Sequence, residues 1–307
     1  MKKFIFNLTI FLIYSFLIYL IALFIWGNFA PNVLKPNLKY PIGSIGNLNT
    51  RLKEVKTVSD VDILFLGSSH SIRGFNTKAF KNEGYKTFNL GTKAGTPLQT
   101  LTLLNRYLNQ LKPKLVVYDV YPVTFEMDGV EASLHLLAND DIDYYSFELA
   151  LKQNHIKTYN TLFYGAIREL FRQNESFKED AVRDKDVYYS GGYVERSNYY
   201  WQPHTFKSHN IEINKKQLKY FESIMKIFES KNIEVILVYA PISPLYYSSF
   251  SNTKSFDSLM KSYSEYYNFN ETMRLNDSLH FYDSDHLNKA GVDKFTPKLI
   301  ETLENRK

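Results

Sequence analysis

Two short segments of the chain carry the residue types needed for acyl chemistry at a serine. Residues 67–71 read GSSHS, and residues 283–286 read DSDH. A serine hydroxyl becomes a nucleophile only when a base removes its proton, and the imidazole pKa suits that task at neutral pH. Ser69 and His286 are therefore candidates for nucleophile and base, although a Gly-Ser-Ser tripeptide taken alone is also a common turn.

The imidazole of such a pair needs an acid that fixes its tautomer and stabilises the imidazolium. Asp283 lies three residues before His286 and can turn back onto the ring. Asp285 is the immediate neighbour of His286 and is less easily placed to do so, but it stays an alternative. The same loop also fits a helix start, with Asp285 or Asn288 accepting hydrogen bonds from free backbone amides.

The hydrophobic pattern of the rest of the chain alternates between short apolar runs and helical faces. Runs typical of buried strands occupy residues 61–66, 86–90, 114–120 and 234–239, with a further short strand at 278–282. Helical periodicity covers residues 71–81, 96–111, 211–231 and 288–303. This order predicts an α/β fold with three layers, α/β/α, around a mostly parallel, flavodoxin-like sheet. Ligands bind at the carboxyl ends of such strands, where the turn of Ser69 is expected.

The two segments, in this order and fold context, resemble the SGNH (GDSL-like) hydrolase superfamily over about residues 61–300. The resemblance implies Ser69 as nucleophile, His286 as general base and Asp283 as orienting acid. It also implies an oxyanion hole formed by the backbone amides of Ser69 and of a glycine after the second strand. That glycine is Gly95 or, alternatively, Gly91, and both glycines also suit a turn with close strand–helix packing.

The third sequence block departs from the family pattern. The family carries Gly-x-Asn-Asp there, whereas residues 118–122 read YDVYP and contain no asparagine. Loss of one oxyanion donor typically lowers the rate by about 10²–10³. An ionised Asp119 cannot replace it, because a carboxylate only accepts hydrogen bonds.

Membrane-tethered members of the superfamily, similar to those of alginate acetylation and teichoic-acid D-alanylation, share a serine in the first block and a degenerate third block. Resemblance to them implies an acylated cell-envelope glycan or an acyl donor as substrate. It also implies a multi-pass membrane acyltransferase as partner. Both hydrolysis of the acyl group and its transfer to a sugar hydroxyl remain open. An inactive glycan-binding or envelope-assembly module with the same fold is the alternative.

An uncharged apolar run begins at Phe4 and ends at Trp26. At about 1.5 Å per residue it is long enough to cross a hydrocarbon core of about 30 Å. Lys2 and Lys3 precede it, so the positive-inside rule predicts a cytoplasmic N-terminus and an extracytoplasmic remainder. A cleaved signal peptide would have a shorter apolar region and a small-x-small site, which residues 27–31 do not offer. We therefore predict a single-pass anchor.

The predicted organisation has three parts: an anchor at residues 1–30, a Pro- and Gly-punctuated stalk at 31–58 and the α/β domain at 59–307. Residues 125–210 interrupt the strand–helix rhythm and form an insertion in that domain. An insertion beside the carboxyl edge of a sheet serves equally well as a substrate lid or as a structural cap. Within it we expect helices at 143–152 and 158–172 and a turn at Gly191-Gly192.

Composition excludes several classes of function. The 307 residues include no cysteine, which excludes thiol nucleophiles, disulfides and thiolate metal sites. The net charge of +5 is small and scattered, so no nucleic-acid partner is expected. No cofactor or metal is expected either, because phosphate-binding loops, dinucleotide fingerprints and metal-ligand spacing are missing from the sequence. The aromatic fraction of 16% reflects either coding bias or a stacking surface for sugars or acyl chains.

Overall fold

The computed structural model describes residues 1–306, which divide into two compact units. The first unit combines Met1–Ile42 with Ser133–Phe177, and the second combines Gly43–Ala132 with the chain from Lys178 onward. The helices are α1 Lys2–Phe29, α2 Leu48–Val55, α3 Ser69–Gly74, α4 Thr77–Asn82, α5 Pro97–Leu111, α6 Pro122–Glu126, α7 Val130–Asn139, α8 Tyr144–Gln153, α9 Ile156–Leu170, α10 Lys215–Ser230, α11 Pro244–Tyr247, α12 Thr253–Lys261, α13 Phe269–Thr272, α14 Asp277–His280 and α15 Lys289–Glu304, with a 3₁₀ turn at Asn32–Leu34. The strands are β1 Ile63–Leu66, β2 Thr87–Asn89, β3 Leu115–Asp119, β4 Val182–Arg183, β5 Asp186–Tyr189, β6 Tyr193–Arg196, β7 Glu234–Tyr239 and β8 Glu265–Asn268.

A five-stranded parallel sheet forms the centre of the second unit, in the order β2-β1-β3-β7-β8. Four of the strands predicted from apolar runs are confirmed as β1, β2, β3 and β7. Their residues alternate between the two faces of the sheet, as the period of two requires. Phe65 and Val117 pack with Phe295 of α15 on one face, whereas Tyr118 meets Phe221 of α10 at 5.8 Å on the other. The predicted α/β fold with helices on both faces is therefore confirmed.

Two local predictions differ from the structure, and one strand was not predicted. The helix expected at 71–81 is two helices, α3 and α4, because Asn76 Oδ1 accepts the Ala79 amide at 3.1 Å and starts a new helix. The strand expected at 278–282 is wrong, since α14 occupies Asp277–His280 and only Phe281 makes a β-bridge. Edge strand β8 was not predicted, because its Glu-Tyr-Tyr-Asn sequence buries one residue and lacks an apolar run.

The stretch 31–58, interpreted from sequence as a stalk, contains the folded helix α2. Leu48, Leu52 and Val55 are buried at helical spacing, and Arg51 between them is 1% exposed. The predicted turn at Gly191-Gly192 is confirmed between β5 and β6, where both glycines have positive φ angles of 92° and 95°. The three-stranded antiparallel sheet β4-β5-β6 that this turn serves was not predicted.

Helix α1 in the first unit is apolar and long enough to cross a membrane by length and composition. Only Leu23 and Gly27 on it are buried. It packs on α9, with Phe16 and Phe163 edge to face at 5.4 Å. The helices predicted at 143–152 and 158–172 are confirmed as α8 and α9.

Candidate active site

Ser69 is the first residue of α3, directly after the turn that follows β1. Gly67 in that turn has a φ of 132°, and a Cβ there would lie 2.8 Å from the Cβ of Asp119. Only glycine fits this backbone and this approach. The Ser68 side chain accepts the His70 amide at 3.3 Å and caps α3. Local sequence therefore places the Ser69 hydroxyl at a helix N-terminus, half-buried at the carboxyl edge of the sheet.

His286 lies in the loop between α14 and α15, which wraps around the carboxylate of Asp283. Asp283 Oδ1 accepts the backbone amides of Asp285 at 3.1 Å and of His286 at 2.8 Å. Both oxygens of the same carboxylate lie 3.0 Å from His286 Nδ1. Asn288 begins α15 by accepting the Gly291 amide at 3.0 Å. The acid that orients the imidazole is thus held by the backbone of its own loop.

The two loops meet at the edge of the sheet. Ser69 Oγ lies 2.8 Å from His286 Nε2, a normal length for a hydroxyl–imidazole hydrogen bond. With Nδ1 donating to Asp283, the neutral ring presents Nε2 as an acceptor for the Ser69 proton. Ser69, His286 and Asp283 therefore form a hydrogen-bonded series with the geometry that a serine nucleophile, a base and an orienting acid require.

A second carboxylate also reaches His286. Asp285 Oδ1 lies 3.3 Å from His286 Nδ1, and Asp285 Oδ2 lies 3.3 Å from His70 Nε2. Ser284 Oγ donates to Asp285 Oδ1 at 3.2 Å. The sequence marked Asp285 as less easily placed than Asp283, but the tight loop puts both acids on one ring and joins the ring to His70.

These charges determine the titration of the site. Burial alone would lower the pKa of His286, but the carboxylates of Asp285 and Asp283 overcome it and raise the pKa to about 9. Burial would likewise raise the pKa of Asp285, yet His286 and His70 hold it well below its usual range. The free site therefore favours the imidazolium at neutral pH, and the base becomes available as the pH rises.

His70 lies behind this pair rather than at the surface. Its ring stacks on Tyr121 with 3.9 Å between centroids and lies 4.9 Å from the ring of His286. One possible metal-ligand atom from each of His70, Asp285 and His286 lies within 4.8 Å of the other two, which is close enough to hold one metal ion. Sequence spacing could not reveal this group, because its members come from opposite ends of the chain. In the structure, the Asp285 carboxylate joins the two imidazoles directly.

The glycines expected at an oxyanion hole have other hydrogen-bond partners. The Gly91 amide donates to Asn89 Oδ1 at 2.9 Å, and the Gly95 amide donates to the Thr92 carbonyl at 3.0 Å. A Cβ on Gly91 would lie 2.8 Å from the Ser68 carbonyl oxygen. In this conformation both amides are engaged by other acceptors, so donation to an oxyanion by either glycine stays a prediction. The Ser69 amide, at the first position of α3, is the candidate donor, since helix geometry gives it no intrahelical acceptor.

Asn89 and Arg51 position this loop and were not singled out from the sequence. Asn89 Oδ1 accepts the Ser71 hydroxyl at 3.0 Å, and its Nδ2 donates to the Ser71 carbonyl at 2.7 Å. Arg51 donates to the carbonyls of Gly91 at 2.6 Å and Gly46 at 2.9 Å. Burial lowers the pKa of Arg51 to about 10. An asparagine as the last residue of a short strand is the one signal that could have identified Asn89.

Asp119 is the last residue of β3, in the sequence block where the family pattern includes an asparagine and this chain has none. Its Oδ1 accepts the Ala240 amide at 3.2 Å, and its buried Oδ2 has no hydrogen-bond partner among the described residues. Burial raises the pKa of Asp119 to about 6, against the opposing effects of His70, the Ala240 amide and His286. The side chain lies beneath Gly67, where it supports the turn of the serine and, when ionised, has no proton to donate.

The antiparallel sheet β4-β5-β6 of the insertion packs against the loop that carries His286. The Asp186 carboxylate of β5 accepts hydrogen bonds from both terminal nitrogens of Arg73, at 2.7 and 2.9 Å. Arg73 and Arg196 both place guanidinium groups over the ring of Tyr282, at 5.2 and 4.7 Å. Tyr282 in turn stacks on His286 with 5.4 Å between centroids. This packing restricts the orientation of the imidazole.

Comparisons with known proteins give only distant likenesses. No protein-family model and no curated protein matches the chain. Among solved structures, a GDSL-like lipase from Bacteroides thetaiotaomicron is 13% identical, with a TM-score of 0.44 over 84% of this chain and 98% of its own. A "putative acylhydrolase" from Bacteroides fragilis is also 13% identical, with a TM-score of 0.43 over 85% and 96% of the two chains. Likenesses this low carry no weight for the reaction, which has to be inferred from the site itself.

Proposed function

We propose that the chain is a serine ester hydrolase or O-acyltransferase in which Ser69 is the nucleophile, His286 the general base and Asp283 the orienting acid. The supporting observation is the 2.8 Å contact between Ser69 Oγ and His286 Nε2, continued by Asp283 at Nδ1. His286 takes the hydroxyl proton as Ser69 Oγ attacks the ester carbonyl, and the imidazolium is stabilised by Asp283. The Ser69 amide at the N-terminus of α3 donates to the developing oxyanion.

Collapse of the tetrahedral intermediate breaks the bond to the leaving alcohol, which takes the proton back from His286. The acyl group then remains on Ser69 as an ester. In hydrolysis a water molecule attacks this ester, and in transfer a sugar hydroxyl does so, with His286 again accepting the proton. The bond between the acyl group and Ser69 Oγ then breaks, and Oγ takes the proton back from His286. Both outcomes use the same groups, so the acceptor that reaches the acyl-serine decides between them.

A row of aromatic side chains supports a glycan as substrate. The rings of His204, Phe206 and Tyr246 follow one another at 4.4 and 4.8 Å. Tyr246 interacts with Tyr121, whose ring stacks on His70 beside the site. Aromatic faces offer large contact areas with little conformational entropy to lose, which suits apolar sugar faces. We propose that this aromatic row receives an acylated glycan outside the cytoplasm, where α1 anchors the protein and a multi-pass acyltransferase supplies acyl groups.

A serine-reactive fluorophosphonate tests the nucleophile assignment on the full chain. The expected result is one covalent adduct, located on Ser69 by peptide mass spectrometry and lost in Ser69→Ala. Ser258→Ala, which removes an exposed hydroxyl on α12, is the matched control and should label like the wild type. If the wild type binds acetylated oligosaccharides but does not label, the chain is a glycan-binding module and the enzymatic proposal fails.

The acceptor is identified in a second reaction. A soluble acetyl ester is supplied with and without an unacetylated oligosaccharide, and the products are separated by mass. A sugar carrying the extra acetyl group indicates transfer, and free acetate at an unchanged rate indicates hydrolysis.

A further inference from the structure

The first unit contains a basic cavity of about 590 Å³, lined by residues from the end of α1, the segment that follows it and α9. Four of the described residues that line it are cationic and none is acidic; the cations are Lys35, Lys39, Lys157 and Arg168. Tyr40 and Tyr164 complete its aromatic side. The volume is that of an ordinary small-molecule site. A cavity of this charge selects an anion.

The basic cavity lies where the apolar helix ends. The uncharged run stops at Trp26, and Gly27, the next residue, already lines the cavity. Lys35 Nζ donates to the Gly27 carbonyl at 3.1 Å, and Trp26 Nε1 donates to the Leu34 carbonyl at 3.0 Å. Tryptophan and lysine at the end of a spanning helix are typical of the headgroup layer of a bilayer. A helix that crosses the membrane would therefore place the cavity at the depth of lipid phosphates.

Arg168 is oriented in advance for such a ligand. Its Nε donates to Asn174 Oδ1 at 3.1 Å, and its Nη1 donates to the Tyr164 hydroxyl at 3.3 Å. The guanidinium also lies 5.3 Å from the ring centre of Tyr40 and 5.6 Å from that of Tyr164. These partners are all neutral, so they hold the guanidinium group in one orientation without neutralising its charge. A planar guanidinium held in this way matches two oxygens of a phosphate.

The position of Lys35 and Lys39 in the sequence is a second, independent observation that favours anion binding by the cavity. They follow α1 closely, on the side that the positive-inside rule depletes of cations when Lys2 and Lys3 mark the cytoplasmic end. Cations retained on that side are explained if they bind an anion of the outer leaflet.

We infer that the basic cavity binds the phosphate group of an anionic membrane lipid, with Arg168 and Lys39 as its main contacts. Free phosphate ion shares the chemistry of this group and differs in lacking acyl chains. The inference does not depend on the reaction at Ser69.

Native mass spectrometry of the full chain, released from detergent micelles, tests the inference. Dioctanoyl phosphatidylglycerol and dioctanoyl phosphatidylcholine are added at equal mole fractions, with and without inorganic phosphate. We expect adducts of phosphatidylglycerol to exceed those of phosphatidylcholine and to persist when inorganic phosphate is added. Loss of one charge-assisted contact should weaken binding by about tenfold in Arg168→Gln and in the surface variant Lys39→Gln.

Two further variants keep the test interpretable. Arg168→Lys retains the charge and should recover part of the binding. Lys254→Gln, which changes an exposed residue of α12, should bind like the wild type. If equimolar inorganic phosphate displaced phosphatidylglycerol, the cavity would still be an anion-binding site, but the inference that its ligand is a lipid would be wrong. Equal adducts with both lipids, or unchanged binding in folded Arg168→Gln and Lys39→Gln, would overturn the inference altogether.

Discussion

Replacement of Asp285 by asparagine should move the pH dependence of the reaction to lower pH. The variant keeps the size of the side chain and removes one negative charge that lies 3.3 Å from His286 Nδ1. The pKa of His286 is about 9 because Asp285 and Asp283 together outweigh burial. An opposite charge at this range typically shifts a pKa by about 1–3, so removing it should bring His286 to about 7.

The direction follows from the role of the base. Below its pKa, His286 is protonated and cannot accept the Ser69 proton, so the rate falls about tenfold for each pH unit. With a pKa of about 9, about 1% of the free wild-type protein carries a neutral imidazole at pH 7, against about half in Asp285→Asn. The variant should therefore have the higher fraction of active protein at neutral pH, and a lower plateau if its weaker base transfers the proton less readily.

The assay is kcat/KM for p-nitrophenyl acetate from pH 5 to about pH 10, because this quantity reports the titration of the free enzyme. Hydrolysis measured with Ser69→Ala is subtracted at each pH to remove the contribution of hydroxide. Asp283→Asn is the companion variant: its amide oxygen can still accept the loop amides, but it favours the wrong tautomer of His286. An acid-limb midpoint in Asp285→Asn equal to that of the wild type would refute the assignment of Asp285 as a determinant of the pKa of His286.

Four further outcomes are expected. Ser69→Ala should reduce acetyl-ester turnover by at least about 10³-fold. Asp283→Asn should lower the plateau of kcat/KM by about 10²–10⁴-fold. Circular dichroism should show that Asp283→Asn remains folded. Arg51→Met leaves the carbonyls of Gly91 and Gly46 unpaired and should lower the free energy of unfolding by about 2–4 kcal/mol in urea titrations; an unchanged midpoint would contradict its role in holding the loop. Asp119→Asn removes a carboxyl whose pKa rises from 3.8 to about 6 on folding. Asp119→Asn should raise the free energy of unfolding at pH 7 by about 1–3 kcal/mol. The wild type should lose stability as the pH rises from about 4 to about 6, because its folded form resists ionising Asp119, and the variant should not.

The strands that build the site were predictable because their signal is local. β1, β3 and β7 lie inside the sheet, so each appears as a nearly continuous apolar run. The short edge strand β2 was found within the weaker pattern of residues 86–90. β8 lies at the edge of the sheet and α2 carries a buried arginine, so neither produces the apolar pattern of an interior element. The break between α3 and α4 depends on one hydrogen bond of Asn76, which competes with a helical pattern that continues across it.

The residue types and spacing alone determined which side chains could perform the chemistry, together with the apolar run and the α/β class, since these depend on neighbours along the chain. The tertiary structure decided that Ser69 and His286 meet, because their separation depends on the order β2-β1-β3-β7-β8 and not on sequence distance. It also decided that Asp285 joins Asp283 on one imidazole and that the amides of Gly91 and Gly95 are engaged elsewhere. Backbone donors and buried charges choose partners among whatever groups the fold brings close, and no local pattern encodes that choice.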